Sequence, residues 1–317
     1  MQIKKEPELL VTYIRDGLSE QEHYGYIVLA NRQRAFDFTG DTKNQPFYLR
    51  SCAKPLQASL IIDFGMDKFY EMTEEEIALC CASHAGEEIH INIAKNLLKK
   101  FELAENNLKC GLHKPISKTE QQKLIKDEKT ENILQNNCSG KHLMMLGLCK
   151  MKGWSLEDYD SREHPLQIAI KEKIYELCNV TKEYPVTKDG CGVPIMSMPL
   201  ENMLHGYLNL FCNYKYEKIK NAFLNNPYII GGEDRTDTKI IENSQGLIAK
   251  VGAGGLCIVV NTNTEEAFVV KISDADMKAR ELVVLKTLKN LHWAEIKADT
   301  AIKTLHGETI GEIIVGV

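Results

Sequence analysis

Alternating hydrophobic and polar positions near the N-terminus predict a run of short antiparallel strands. Residues 9–15, 24–30 and 33–38 are rich in β-branched and aromatic side chains, and polar turn segments separate them. The last third of the chain has the same character, with apolar runs at 247–251, 255–260 and 266–272. The pattern therefore predicts strands near both ends of the chain, with an amphipathic helix over 274–291 as the terminal element.

The middle of the chain, residues 52–226, has the pattern of helices. Thr73 is followed three residues later by Glu76, which is typical of a capping box at a helix start. Pro165 suits the first turn of another helix. Residues 118–134 are so rich in charge that we expect a solvent-exposed helix there.

This order of elements predicts a mixed α/β (α+β) architecture. One antiparallel sheet would be assembled from both chain ends, with a helical lobe beside it. We predict a single domain over residues 1–317, with the sheet formed by about 1–50 and 240–317 and the lobe by about 51–239. A functional site is expected between the sheet and the lobe, because clefts form where such layers meet.

Composition narrows the class of protein. The 317 residues carry a formal net charge of −5, which argues against a nucleic-acid-binding role. The apolar runs are far shorter than the roughly 18 residues that a membrane span needs, and no apolar segment follows the charged N-terminus as in a secretory signal. We therefore expect a cytoplasmic protein whose ten cysteines are mostly reduced and buried.

Ser51 and Lys54 form the first segment with catalytic potential. Three residues apart at the start of an apolar helix, their side chains share one face. A buried lysine has a lowered pKa and can accept the serine proton. Considered alone, such a pair also arises by chance in a chain with this much serine and lysine.

The segment 81–87 places Ser83 and His84 just after an apolar helix. They could be a nucleophile and its base, although adjacent residues on a helix do not face each other. The alternative is a polar helix end that terminates at Gly86.

Two further segments contain possible metal ligands. Residues 136–142 could bind an anion at a helix start with Lys141 nearby, could supply Cys138 and His142 to a metal, or could be a loop with Ser139 as the N-cap. Glycines flank Cys191 in the segment 189–194. Cys138 and Cys191 could therefore bind a metal together or form a disulfide.

Arg235 and Lys250 are candidates to bind a substrate carboxylate. Arg235 could do so with two parallel hydrogen bonds, and Lys250 precedes a glycine at a strand end. An exposed turn and an edge lysine are the alternative.

Taken in chain order, these motifs resemble the L-asparaginase II family, the rhizobial-type third structural class of L-asparaginases. The resemblance lies in Ser51-x-x-Lys54 and in the segments 81–87, 136–142, 189–194 and 250–253, which span about two thirds of the chain. It implies a serine-β-lactamase/penicillin-binding/glutaminase-like fold. It also implies hydrolysis of the side-chain amide of L-asparagine to L-aspartate and ammonia.

The resemblance implies roles for individual residues as well. Ser51 would be the nucleophile with Lys54 as its base, and Ser83 and Lys250 would form a second serine–lysine pair. A zinc ion would be bound by Cys138, Lys141 and Cys191, with Asp189 beside the lysine, and the protein would be a homodimer. We assign substrate binding to Arg235, His84, Glu87 and Asp189.

Two other functions are compatible with the same residues. A glutaminase or peptidase would use the same machinery, because one methylene in a pocket changes the binding energy by only ~1–3 kcal/mol. A non-catalytic amino-acid- or zinc-binding protein on this scaffold is the third possibility.

Overall fold

The computed structural model describes residues 6–37, 42 and 45–317. The strands are β1 (Glu8–Arg15), β2 (Leu18–Asn31), β3 (Ala35–Asp37), β4 (Phe47–Tyr48), β5 (Val186–Lys188), β6 (Pro194–Met198), β7 (Leu247–Gly252), β8 (Leu256–Asn261), β9 (Glu266–Ile272), β10 (Ala301–Lys303) and β11 (Thr309–Val315).

In chain order, all helices but the last lie between strands β4 and β7, and the last helix follows β9. They are α1 (Ala53–Asp63), α2 (Met66–Phe69), α3 (Glu74–Cys81), α4 (Glu88–Lys100), α5 (Lys118–Lys126), α6 (Ser139–Lys152), α7 (Pro165–Leu177), α8 (Leu200–Phe211), α9 (Glu217–Asn225), α10 (Pro227–Ile230), α11 (Thr236–Glu242) and α12 (Met277–Asn290).

The main sheet joins the two ends of the chain. Its order is β10-β11-β1-β2-β9-β8-β7, with β3 paired to β2, and the pairings are antiparallel. Every residue of β7 and β8 is buried, as in strands covered on both faces. Helix α8 contacts β2 and β9, α12 contacts β9 and β1, and α11 contacts β7. The predicted architecture, one antiparallel sheet from both chain ends beside a helical lobe, is confirmed.

Several predicted helix starts are confirmed. Thr73 accepts the backbone N–H of Glu76 while the Glu76 carboxylate accepts that of Thr73, which completes the capping box. Pro165 occupies the first turn of α7. The predicted helix over 274–291 is α12, which Asp276 caps by accepting the Ala279 N–H at 2.7 Å.

Other predictions at element ends were wrong. Ser139 is not the N-cap: Cys138 has that place, and the Ser139 hydroxyl donates to the Leu134 carbonyl at 3.0 Å. Gly86 does not end a helix, because α3 stops at Cys81 and Gly86 lies in the irregular segment that follows. The helix predicted over 118–134 ends at Lys126, although none of its residues is buried, as expected. Phe38, the last residue of the third predicted strand, lies outside the described residues.

Strands β4, β5, β6, β10 and β11 were not predicted. β4, β5 and β6 form a small second sheet, and their two, three and five residues are too short for a periodic pattern. The chain was predicted to end with a helix, whereas β11 follows α12 and pairs with β1 from Val11↔Val315 to Arg15↔Gly311. Only Ile313 of β11 is buried, so the hydrophobic alternation that would reveal this strand is missing.

None of the described helices combines the length and the apolar character that crossing a bilayer requires.

Candidate active site

Ser51 and Lys54 lie where strand β4 turns into helix α1. A short 3-10 turn, Arg50–Cys52, leads directly into α1. Arg50 has a φ of 47°, which is uncommon for a residue with a side chain and turns the chain sharply before Ser51. All residues of α1 from Ala53 to Ile61 are buried, so Lys54 is drawn into the interior with them.

The Lys54 amine is surrounded by uncharged acceptors. Its Nζ lies 2.7 Å from the Ala82 carbonyl oxygen, 2.8 Å from that of Asn137 and 3.0 Å from Ser83 Oγ. Burial lowers the pKa of Lys54 to about 8, and the nearby charges of Lys250 and Lys141 act in the same direction against that of Cys138. A lysine with this pKa can act as a base near neutral pH.

Ser83 is held between two lysines. Its backbone N–H donates to the Ile230 carbonyl at 3.0 Å, which fixes the chain just after α3. Besides Lys54, Lys250 Nζ lies 2.9 Å from Ser83 Oγ. The structure therefore brings three of the four predicted catalytic residues into one hydrogen-bonded group.

Ser51, the fourth, faces the same cleft. It is half-buried, and its hydroxyl has no hydrogen-bond partner in the part of the chain that the structure describes. Lys54 contacts Ser83 instead of Ser51. The role of Lys54 as the base of Ser51 thus stays a prediction.

Lys250 extends from β7 into a fully buried position. In addition to Ser83, it approaches the Val251 carbonyl oxygen at 3.1 Å and Asp237 Oδ2 at 3.5 Å. Asp237 is itself completely buried, on helix α11. The sequence reasoning missed this carboxylate, because a polar residue in the first turn of a helix gives no sign of burial.

A cleft of about 270 Å³ opens above Ser83. Its lining includes both serines, the backbone of residues 251–255 and two arginines, Arg235 and Arg280. The Nε atom of each arginine is buried without a hydrogen-bond partner among residues 6–37, 42 and 45–317. The Nη1 atom of Arg280 donates to the Gly252 carbonyl at 3.2 Å. Two positively charged guanidinium groups in its lining make this cleft suitable for a carboxylate.

The predicted zinc ligands converge on a second buried group. Lys141 Nζ lies 3.0 Å from Cys191 Sγ, and Cys191 is hydrogen-bonded to Cys138. Both cysteines are free thiols. The hydrogen bond from Cys191 holds the pKa of Cys138 well below its usual range despite burial, and raises that of Cys191. Burial opposes a charge on Lys141, but the thiol sulfurs outweigh it and raise its pKa.

This group fits a zinc ion in its donor atoms. Two thiolates and one nitrogen are ligands that zinc prefers, and the lysine must give up its proton to bind. Among the described residues no cluster of three His, Cys, Asp or Glu side chains suits a metal, so the third ligand would have to be Lys141. Asp189 lies nearby, accepting the Arg50 Nε–H at 2.8 Å, and thereby connects the Ser51 turn to the cysteine segment.

Of the predicted substrate-binding residues, Arg235 lines the cleft, while His84, Glu87 and Asp189 are not among its lining residues. His84 is fully buried; its Nε2 lies 2.9 Å from Ser139 Oγ, and burial lowers its pKa well below the usual value. Glu87 accepts the Tyr228 hydroxyl and the Glu233 N–H, the latter at 3.1 Å. Glu87 thus fixes the loop that carries Arg235.

Sequence reasoning also missed Arg50, Arg280 and Tyr228. Arg50 directly precedes the Ser51-x-x-Lys54 motif, so its position was the available signal. Arg280 lies one turn into an amphipathic helix, and Tyr228 follows a proline in a short helix; neither has a local pattern that indicates a site.

The chain is similar to known proteins over most of its length. A family model described as L-asparaginase II matches residues 11–314. Comparison with curated protein sequences gives no match. Similar solved structures include a β-lactamase from Mycobacterium bovis, with 11% identity over 85% of this chain and 95% of that one and a TM-score of 0.43. A putative β-lactamase from Bacteroides dorei has 10% identity over 90% and 89% with a TM-score of 0.41. A class C β-lactamase in complex with cefoxitin has 12% identity over 84% and 93% with a TM-score of 0.42.

Proposed function

The chain belongs to the L-asparaginase II family and is thus an amidohydrolase, and we propose that it hydrolyses the side-chain amide of L-asparagine through a serine acyl-enzyme. The observation that carries the proposal is Ser83 between Lys54 and Lys250, at 3.0 and 2.9 Å, beneath a cleft that Ser51 and Arg235 also line. This arrangement supplies hydroxyl nucleophiles, amine bases and a binding site for an anionic group in one place.

Substrate binding would use the two arginines. The α-carboxylate of asparagine would accept hydrogen bonds from Arg235, with Arg280 adding positive charge to the same cleft. The cleft of about 270 Å³ suits a small amino acid better than a polypeptide.

The first chemical step forms the acyl-enzyme. Ser51 Oγ would attack the amide carbon while Lys54 Nζ takes the serine proton. Backbone N–H groups at the start of α1 would hold the oxyanion. The carbon–nitrogen bond then breaks, and the leaving nitrogen receives a proton from Lys250 through Ser83, so that ammonia departs.

The second step hydrolyses the ester. A water molecule would add to the acyl carbon and give one proton to the lysine–serine group. The ester bond then breaks, Ser51 regains its proton, and aspartate leaves. Protons balance over the cycle: Lys54 returns the Ser51 proton, one water proton restores Lys250, and the other leaves the product carboxyl group and is taken up by ammonia, so the products are aspartate and ammonium.

Cys138, Lys141 and Cys191 would hold a zinc ion beside this site. A bound zinc ion would orient a polar group of the substrate and add positive charge. Asp189 would support the site through its ion pair with Arg50, on the turn that carries Ser51. By the same family resemblance we propose a cytoplasmic homodimer, and light scattering on the purified protein tests the dimer.

The experiment compares ammonia release from L-asparagine and L-glutamine by the parent and two variants, Ser51→Ala and Ser83→Ala. Ser59→Ala is the matched control, because Ser59 is a fully buried serine on α1 whose hydroxyl only donates to the Leu56 carbonyl. We expect release from asparagine that Ser51→Ala abolishes and Ser59→Ala preserves. Acid quenching and intact-mass measurement would show an aspartyl adduct.

The outcomes separate the alternatives. An adduct that persists in Ser51→Ala and disappears in Ser83→Ala would show that Ser83, and not Ser51, is the nucleophile. Preferred release from glutamine would make the protein a glutaminase. Binding of asparagine without ammonia release by the folded, zinc-supplied protein would refute the proposed activity and favour a binding protein.

A further inference from the structure

Asp237 is a buried carboxylate that the mechanism above does not use. It lies in the first turn of α11 and is completely buried, as is Lys250 on β7. Its Oδ2 atom lies 3.5 Å from Lys250 Nζ and 3.4 Å from the Val251 N–H, while Oδ1 has no hydrogen-bond partner in the described part of the chain. A carboxylate in such a place needs a charged partner to offset its loss of hydration.

The hydrogen bonds around Ser83 require Lys54 and Lys250 to differ in protonation state. An ammonium group has three N–H donors, and each lysine has three acceptors: Ser83 Oγ and two other oxygen atoms. If both lysines were ammonium ions, the Ser83 hydroxyl proton would have no acceptor between them. One neutral lysine solves this, because its lone pair can accept that proton.

Hydrogen-bond counting alone permits either lysine to be the neutral one. The acceptors around Lys54 other than Ser83 are two carbonyl oxygens, whereas Lys250 faces the Asp237 carboxylate. An opposite charge at this distance favours the charged form of a group by an amount that grows as the surroundings lose water.

We propose that Asp237 is a positioning residue that holds Lys250 as an ammonium ion beside Ser83. It follows that Lys54 is the lysine that accepts protons, and that Lys250 donates a hydrogen bond to Ser83 throughout the cycle until it releases a proton to the leaving group. The proposal rests on the proposed function only in treating Ser83 and the two lysines as catalytic.

Other ionisable groups near Lys250 do not compete with Asp237. Burial raises the pKa of Cys52 and Cys81 to about 12 and raises that of Cys257 as well, so these thiols are neutral. The remaining basic neighbours are Arg280, which is a cation, and Lys54, which is the neutral lysine in this proposal, so neither is an anion that could replace Asp237. The buried residues of α9, which also contacts β7, are apolar. Asp237 is therefore the anion that sets the state of Lys250.

The test is the pH dependence of kcat/KM for asparagine in Asp237→Asn, with Asp234→Asn as the matched control. Asp234 lies three residues earlier, and its side chain is 87% exposed. In Asp237→Asn the charged form of Lys250 loses the carboxylate that supports it. We expect the alkaline limb of the profile to move down by roughly one to three pH units in Asp237→Asn. The control should keep the parent profile, and Asp237→Glu should move the limb back toward it.

A double variant tests whether the role of Asp237 is purely structural. If Asp237 acts through Lys250, Asp237→Asn should reduce kcat/KM at least tenfold in the parent but little in a Lys250→Met background. The double variant removes both buried charges together, so it is expected to fold even if Asp237→Asn does not. An equal loss in both backgrounds, or an unmoved alkaline limb in folded Asp237→Asn, would overturn the proposal.

A readout independent of turnover separates this proposal from the proposed function. Lysine labelled with ¹³C at Cε reports its own protonation in NMR spectra, and Lys250→Met identifies the Lys250 signal. We expect this signal to titrate at lower pH in Asp237→Asn than in the parent. If the parent releases no ammonia but the signal moves as expected, the activity is wrong and the role of Asp237 stands. If the parent is active but the signal does not move, the activity stands and the role of Asp237 is wrong.

Discussion

The Nζ atom of Lys54 lies 2.7 Å from the carbonyl oxygen of Ala82, the residue immediately before Ser83. This contact anchors the amine between the ends of α1 and α3, where it has uncharged hydrogen-bond acceptors and almost no access to solvent. The position combines a basic group with the conditions that favour its neutral form.

The first prediction concerns the acid limb of the pH profile. Because burial lowers the pKa of Lys54 to about 8 and a base must be neutral, kcat/KM should rise with pH, reach half of its limiting value near pH 8 and level off above it. Lys54→Arg should reduce kcat by at least about a hundredfold, because a guanidinium does not deprotonate. Ammonia release measured from about pH 5 to about pH 10 tests both statements.

Lys68→Arg is the control for this experiment, since Lys68 is an exposed lysine on α2. It should reproduce the parent profile. A parent profile that is flat on the acid side, or a Lys54→Arg variant with parental turnover, would show that Lys54 is not the base.

The second prediction concerns zinc. Cys191→Ala removes the thiol that contacts both Lys141 and Cys138, so zinc retained after dialysis should fall from about one ion per chain to less than about a tenth of that. Cys212→Ala, which changes a half-buried cysteine outside this group, should retain the metal. Metal content is measured by plasma emission. Equal zinc in the two variants would place the ion elsewhere.

The architecture was predictable from sequence where strands are buried on both faces. The continuous apolar runs identify β7 and β8. In the same way, the capping box at Thr73 identifies the start of helix α3. Strand β11 was not predicted, because one partner, β1, is distant in sequence and the other, β10, has only three residues. The residues of β11 itself are also mostly not buried. Pairing between distant strands of this kind has no local signal.

Part of the group of residues that meets at the cleft was predictable from sequence, whereas the contacts within that group were not. Spacing on α1 suggested Ser51 as the partner of Lys54, yet the lysine contacts Ser83, because the end of α3 packs against α1. Asp237 and Arg280 acquire their roles from the packing of α11 and α12 beside β7 and the cleft. Such roles depend on tertiary placement, which residue type and spacing do not encode.

The third prediction concerns recognition of the substrate carboxylate. A hydrogen bond to a charged group contributes about 1.5–3 kcal/mol, so Arg235→Gln should raise KM for asparagine by roughly tenfold to a hundredfold with a smaller change in kcat. L-asparaginamide, which lacks the carboxylate, should be a poor substrate for the parent. The variant should discriminate less between the two compounds, and steady-state kinetics on both measures this.

Arg162→Gln serves as the comparison, because the Arg162 guanidinium donates to the Val186 carbonyl in a different groove. It should keep parental KM values. If Arg235→Gln changes kcat alone, or weakens both substrates equally, Arg235 does not bind the carboxylate.

The last prediction concerns how closely α6 approaches α3 beneath the site. A Cβ atom on Gly140 would lie 2.1 Å from the Leu79 carbonyl oxygen, far inside contact distance. Helix propensity favours alanine over glycine by about 1 kcal/mol, but the clash forces the two helices apart. Gly140→Ala should therefore lower the free energy of unfolding by a net ~1–3 kcal/mol, as substitutions that overpack a core do.

The control is Gly316→Ala. Its new Cβ would lie 3.8 Å from the Leu9 carbonyl oxygen, an ordinary contact, so stability should be unchanged. Urea unfolding followed by circular dichroism compares the two, and a Gly140→Ala protein as stable as the parent would show that α6 is free to shift away from α3.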